Sequence, residues 1–366
     1  MSQTPMQIVV ARDRSDRRTN VYVDTLRLAF EGSGDSARSP SAYLAEAVDL
    51  GIRVLEPGGN LEAVEARRLL EGARDTVFVV IGAWPKGSNE LSRMAHNPNV
   101  VKVPSPSERG DGEIQGPRPE DGVEIALAPV VTALRAMERA RRVLVSRMLE
   151  VGRVSGDAHG LQLFISHAKV DGIAMARSLV GVLQQLKAAG GEDVSFDYFY
   201  DAEHIEPGSV WRYVINEEAS RSMLIALRTE AYEGRYWCRR EFLAAERRGL
   251  PILVVDLRRE QYHESSQLPF DVVPSVRVHD GNLIRVVLHA MALHLRALRV
   301  QSMTLPTVNV LPHRPSVYSL SGAIRVTVPD KIAYPGPKLP KTFLQAVAPM
   351  LGQGPNVVQL VTFDEL

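Results

Sequence analysis

Between Leu161 and Val300 short apolar, partly β-branched runs alternate with amphipathic stretches, two of which stop at glycine. That alternation constrains the fold more than any other feature of the chain. Strands that are each followed by a helix line up in parallel, with helices covering both faces of the sheet. The pattern predicts strands over Leu161–Ile165, Val194–Tyr200, Met223–Arg228, Pro251–Asp256 and Val272–Val278. Helices are predicted over Gly172–Ala189, ended by Gly190-Gly191, over Trp211–Ser222, over Tyr236–Arg248, stopped at Gly249, and over Leu283–Leu298. In the last of these Ile284, Val287, Leu288, Met291, Leu295 and Leu298 form one apolar stripe. The loop Ala202–Val210, with Pro207-Gly208, follows the second strand. The whole reads as a five-strand doubly wound domain over 160–300.

Residues 1–103 repeat the alternation less clearly. Gln7–Ala11, Ile52–Leu55, Thr76–Ile81 and Val100–Val103 are strand-like; Tyr22–Phe30, Ala42–Leu50 and Leu61–Ala73 are helical in period. This reads as a second α/β domain of unknown role, or as a degenerate relative of the fold over 160–300. Residues 104–159 are a linker and a long helix: Pro104–Gly122 is rich in Pro, Gly, Ser and charge, and Val123–Val151 has helical spacing, with Pro129 expected to begin or interrupt it. In 301–366 a Pro-rich connector over 301–316 precedes strand-like Ile324–Val328, a helix near Phe343–Leu351 and strand-like Val357–Val361. The chain stops directly after that run, so the segment reads as the start of a third α/β unit or as a small appended subdomain.

At 366 residues two or three domains are expected. Lysine plus arginine balance aspartate plus glutamate at 43 each, which gives no general electrostatic reason to expect nucleic acid or an anionic membrane as partner. The single cysteine, Cys238, cannot form an intramolecular disulfide, and no apolar run is long enough to span a bilayer. The expectation is a cytoplasmic protein. The nine histidines show no ligand spacing with cysteine or acid, so no metal site is expected, and no resident cofactor is expected either. Gly32-Ser33-Gly34-Asp35-Ser36-Ala37 superficially matches a dinucleotide fingerprint, but it follows a helix-like segment rather than a strand and is discounted.

Three segments stand in a meaningful order: Phe164-Ile165-Ser166-His167-Ala168 with Asp171; Asp201 through Ile205, Glu206, Pro207, Gly208 and Trp211; and Trp237-Cys238-Arg239-Arg240-Glu241. Together they resemble the boxes of bacterial TIR (Toll/interleukin-1 receptor) domains of the NAD-cleaving type, over about residues 160–300. The resemblance implies a flavodoxin-like parallel sheet, with Glu241 as catalytic glutamate. It implies a site shared by Ser166, His167, Lys169, Asp201 and Trp237, with NAD+ as substrate. It further implies activation by self-association through the loop holding Ile205, Glu206, Pro207 and Gly208, in bacterial antiphage defence or toxicity. The flanking domains would then restrain or assemble the enzyme, or take a signal ligand or partner.

The site can be reasoned without the family. Trp237 and Glu241 are four apart on a predicted helix and share a face. In a doubly wound sheet, ligands sit beyond the carboxyl ends of the strands, where the strand order reverses, and all three segments leave that end. Cleaving nicotinamide from NAD+ needs little acid help, because the leaving group departs neutral. Positive charge develops on the ribose, and one carboxylate can stabilise it, hold the ribose hydroxyls or form a transient ester.

Each residue also has a plainer reading. A helical glutamate is ordinarily on a solvated face. Trp211 and Trp237 are aromatics of the kind that fill cores, and Ser166 suits a turn cap. His167 suits a pocket wall better than a general base. Cys238 is expected to be inert packing, and Arg239, Arg240, Arg247 and Arg248 a solvated helix face or an association surface. Two other functions compete with catalysis: a TIR adaptor that only binds protein partners, and a domain that binds NAD+ or a related nucleotide as a regulator.

Overall fold

A computed structural model describes residues 6–12, 19–31, 53–56, 76–81, 99–103, 127–150, 160–200, 222–258, 268–278, 283–304, 307–326, 329–351 and 358–366. The protein is mixed α/β with parallel sheets. It divides into two compact units: Met1–Ser146 with Gln185–Val194, and Arg147–Gln184 with Ser195–Leu366. The expected helices Ala42–Leu50 and Leu61–Ala73, and the loop Pro104–Gly122, lie outside the described residues.

The first unit holds a four-stranded sheet of β1 (Gln7–Arg12), β2 (Arg53–Leu55), β3 (Thr76–Ile81) and β4 (Val100–Val103). All pairings are parallel, in the order β2-β1-β3-β4. Every side chain of β3 is buried, which is why its sequence, TVFVVI, shows no alternation. Helix α1 (Asn20–Glu31) follows β1, so the glycine-rich stretch after it does follow a helix. Helix α2 (Leu127–Glu150) begins two residues before Pro129. The proline therefore sits in the first turn, where its missing N–H costs nothing.

The five-stranded sheet of the second unit comprises β5 (Leu161–His167), β6 (Phe196–Tyr200), β7 (Ser222–Arg228), β8 (Ile252–Asp256) and β9 (Ser275–Arg277). Its order is β6-β5-β7-β8-β9, parallel throughout. The order reverses between β5 and β7. Helix α3 (Ile173–Gly190) follows β5, α4 (Tyr236–Arg248) follows β7 and α5 (Leu283–Met303) follows β9. Side chains alternate between faces. Phe164, Leu224, Ala226, Ile252 and Val254 pack with Cys238, Phe242 and Ala245 of α4, and the intervening Leu163, Ile165, Met223, Ile225, Leu253 and Val255 are buried on the other face.

Three expectations need correction here. The helix α5 is not a one-stripe helix. Val286, His289, Ala290, Ala292, Leu293 and His294 are buried together with the expected positions, while Ile284 is only half-buried. A helix buried on most of its sides belongs inside a core. Thr327 and Val328 lie outside the described residues, and Ile324–Val326, expected to open a strand, is instead the end of helix α6 (Val317–Val326). Its start is fixed by Ser316, whose Oγ accepts the N–H groups of Tyr318 and Ser319 at 3.1 Å each, while Ser319 Oγ accepts the Ser316 N–H at 2.9 Å. That reciprocal cap outweighs the β-branched alternation of Ile324, Val326 and Val328. Ser222, expected to close a helix, opens β7; the rest of that helix, Trp211 included, lies outside the described residues.

After α5 comes β10 (Val308–Val310), inside the expected connector, then β11 (Lys331–Tyr334), helix α7 (Lys341–Leu351) and β12 (Gln359–Thr362). They form a parallel three-stranded sheet in the order β10-β11-β12. No helix among the described residues is long and apolar enough to cross a membrane.

Candidate active site

The site forms at the carboxyl ends of β5 and β7, where the strand order reverses. Ser166 stands opposite Ala226 across these two strands and is buried. Its alternation partner Phe164 faces α4, so Ser166 does too. The Ser166 Oγ lies 2.6 Å from Glu241 Oε2 on the second turn of α4 and donates to it. On its other side the same oxygen lies 2.8 Å from the Tyr232 hydroxyl. Three groups from β5, the turn before α4 and α4 itself therefore make one hydrogen-bonded line.

Asp171 staples the two loops. Its Oδ1 accepts the Thr229 hydroxyl at 2.7 Å and its Oδ2 accepts the Ala231 N–H at 3.0 Å, tying the turn after β5 to the turn after β7. The turn after β5 is itself tight: the Gly172 N–H donates to the Ala168 carbonyl at 2.8 Å, and a β-carbon at 172 would come within 2.9 Å of that oxygen. Tyr232 rides on the stapled turn. It is fully buried, with its ring 6.2 Å from that of Phe270. Burial pushes its phenol well above the ordinary range, with Cys238 and Glu241 adding to the effect.

The expected residues divide into those brought together and those kept apart. Ser166 touches Glu241, and Trp237 sits one turn before Glu241 on α4, 36% exposed. Its ring meets Tyr236 edge-on at 5.1 Å, and the Arg240 guanidinium lies 5.3 Å from its centre. Lys169 is exposed in the turn after β5. His167 is not part of the group. As the neighbour of Ser166 along the strand it turns to the opposite face, where its ring stacks on Tyr200 at 5.2 Å. Cys238 is buried, and burial, followed by the nearby Glu241, pushes its thiol up to about 12, so it is no nucleophile near neutral pH. Asp201, Ile205, Glu206, Pro207 and Gly208 lie outside the described residues. Among the described residues no group of three His, Cys, Asp or Glu side chains is gathered to hold a metal.

Reading the sequence alone misses Tyr232 and the staple made by Asp171. One signal for Tyr232 was present: a large aromatic inside the polar turn Thr229-Glu230-Ala231-Tyr232-Glu233-Gly234, where only burial explains it. Chemically, the arrangement offers one carboxylate oriented by a hydroxyl, beside an exposed aromatic ring. It suits charge stabilisation by the carboxylate, held in place by the serine hydroxyl. Comparison with known protein families matches no family model, and a search of curated proteins finds no significant relative.

Proposed function

We propose that residues 160–300 form a TIR-type domain that cleaves the nicotinamide–ribose bond of NAD+, with Glu241 as the catalytic carboxylate. The observation that carries this reading is the 2.6 Å contact between Ser166 and Glu241. It joins the first and third sequence boxes at the strand-order reversal, where such sheets bind ligands. The order β6-β5-β7-β8-β9 supports the flavodoxin-like arrangement, since it runs 2-1-3-4-5 along the domain.

In the proposed reaction the C1′–N bond breaks, its electron pair returns to the pyridinium nitrogen, and nicotinamide leaves neutral. The ribose then carries positive charge, which the Glu241 carboxylate stabilises directly or through a transient ester. Water captures C1′ and loses a proton to give ADP-ribose; capture by a nucleophile within the same molecule gives a cyclic product. Trp237 offers a stacking surface and Lys169 a cation toward phosphate. His167 takes no part in this reading, because it faces away. Self-association and the flanking segments belong to the same proposal as its means of control, in a bacterial defence or toxicity response.

The test is incubation of concentrated protein with NAD+ and chromatographic separation of products, beside Glu241→Gln. Nicotinamide release that vanishes in the variant is expected, and the co-product distinguishes hydrolysis from cyclisation. Turnover unchanged in Glu241→Gln would sink the assignment. A second reading, a non-catalytic assembly module, is favoured by Tyr236, 60% exposed beside Trp237, since such a pair also suits a protein contact. Absence of products at every concentration, with concentration-dependent association, would favour it.

A further inference from the structure

We propose that Tyr232 is a positioning residue that sets the Glu241 carboxylate through Ser166 without touching substrate; its effect on turnover rests on the NAD+ reading above. The direction of the hydrogen-bonded line follows from donor inventory. An ionised carboxylate only accepts, and a serine hydroxyl has one proton. With that proton on the 2.6 Å contact to Glu241, Ser166 Oγ is left to accept from the Tyr232 hydroxyl at 2.8 Å. The order is therefore Tyr232 to Ser166 to Glu241, each bond polarising the next. Without Tyr232 the Ser166 hydroxyl has a rotor free to leave Glu241.

The tyrosine is built for this and for nothing at the surface. It has no solvent exposure, so no substrate atom reaches it. Its backbone is held by the Asp171 staple at Thr229 and Ala231 and by the Arg235 N–H donating to its carbonyl at 3.2 Å. Its ring is held by the core cluster that includes Phe242 and Phe270. Phenylalanine would satisfy every packing contact at this position. The hydroxyl is the one part that packing does not require, and it points at the residue that orders the glutamate.

The experiment combines turnover with a reading that needs no turnover. Tyr232→Phe, Ser166→Ala and the double variant are compared in kcat and KM for NAD+. The Glu241 side-chain carboxylate is followed in parallel by carbon-13 NMR, its signal assigned by its loss in Glu241→Gln. Tyr232→Phe is expected to lower kcat by about ten- to a hundredfold with KM little changed, as for a misplaced reacting group. The double variant should be no slower than Ser166→Ala, and the Glu241 signal should move in both single variants.

A Tyr232→Phe protein with native kcat and an unmoved signal overturns the proposal. So does a tyrosine effect of full size in the Ser166→Ala background, because Tyr232 would then act by another route. If the native protein cleaves no NAD+, the enzyme reading fails separately, and the carboxylate signal alone decides the positioning role. Should Tyr232→Phe not fold, an unmoved Glu241 signal in Ser166→Ala overturns it equally.

Discussion

The hydroxyl of Ser316 donates to the carboxylate of Glu246 while its oxygen caps the helix that follows it. Glu246 is fully buried, five residues beyond Glu241 on α4, so the two glutamates face about 140° apart. The other Glu246 oxygen lies 3.4 Å from His313 Nε2. One face of α4 serves the candidate site, and another is held by the segment that leads into α6.

Glu246 makes stability depend on pH in a definite direction. Burial raises its carboxyl above the ordinary range, against the opposing pull of His313 and the hydrogen bond from Ser316. A raised folded-state value means that the native protein holds this proton more tightly than the unfolded chain. Its contribution is complete below the unfolded value and is lost as pH rises through the folded one. Urea unfolding between about pH 4 and about pH 8 should show native stability falling with pH relative to Glu246→Gln. Parallel curves would refute this. Glu246→Ala, which leaves the buried Ser316 hydroxyl without its acceptor, should cost about 1–3 kcal/mol.

Gly322→Ala should destabilise the protein although it improves helix propensity. Alanine in α6 gains about 1 kcal/mol over glycine. Its β-carbon, however, would stand 1.6 Å from the Arg247 carbonyl oxygen and 2.6 Å from the carbonyl carbon. Backbone cannot swing aside as a side chain can, and overpacking of this kind costs about 1–3 kcal/mol or more. The clash wins, and a lower urea midpoint is the expected measurement; a raised midpoint would contradict the close approach.

Under the proposed NAD+ reading, Asp171→Ala should slow nicotinamide release more than it weakens the fold. The carboxylate is exposed, so losing its two hydrogen bonds costs about 1 kcal/mol of stability. The turn carrying Tyr232 is freed in the same step. A loss of kcat of about tenfold, with thermal unfolding little changed, is expected. Native kcat in this variant would mean that the staple has no bearing on the site.

Cys238 should resist thiol reagents in the native state. With its thiol pushed up to about 12 and its side chain buried, almost none is thiolate near pH 8. An aromatic disulfide reagent should label it only after unfolding, and under the proposed NAD+ reading Cys238→Ala should keep turnover. Rapid stoichiometric labelling of folded protein would contradict this.

What the sequence made legible follows its local signals. Helix α4 runs over Tyr236–Arg248 as expected, because Gly249 takes the left-handed conformation, φ 63°, that ends it. Strand β3 matches Thr76–Ile81 because six buried residues leave no ambiguity of face. Strand β10 went unread, since three residues between Pro306 and Pro312 are too few to carry a period. Adjacency in sequence places His167 beside Ser166 and hides the strand alternation that separates their side chains. Tyr232 acquires its meaning from a serine 66 residues away, which no local pattern records.

The approach of Gly322 to Arg247 also bears on how this protein can be divided for experiment. A shortened chain ending at Val300 would keep all five strands and Glu241. It would also turn Glu246, now deprived of His313 and Ser316, and the bare Arg247 main chain out to water. Such a fragment would misreport the stability of the native protein and of helix α4. A test piece that keeps these contacts runs on past Gly322 of α6.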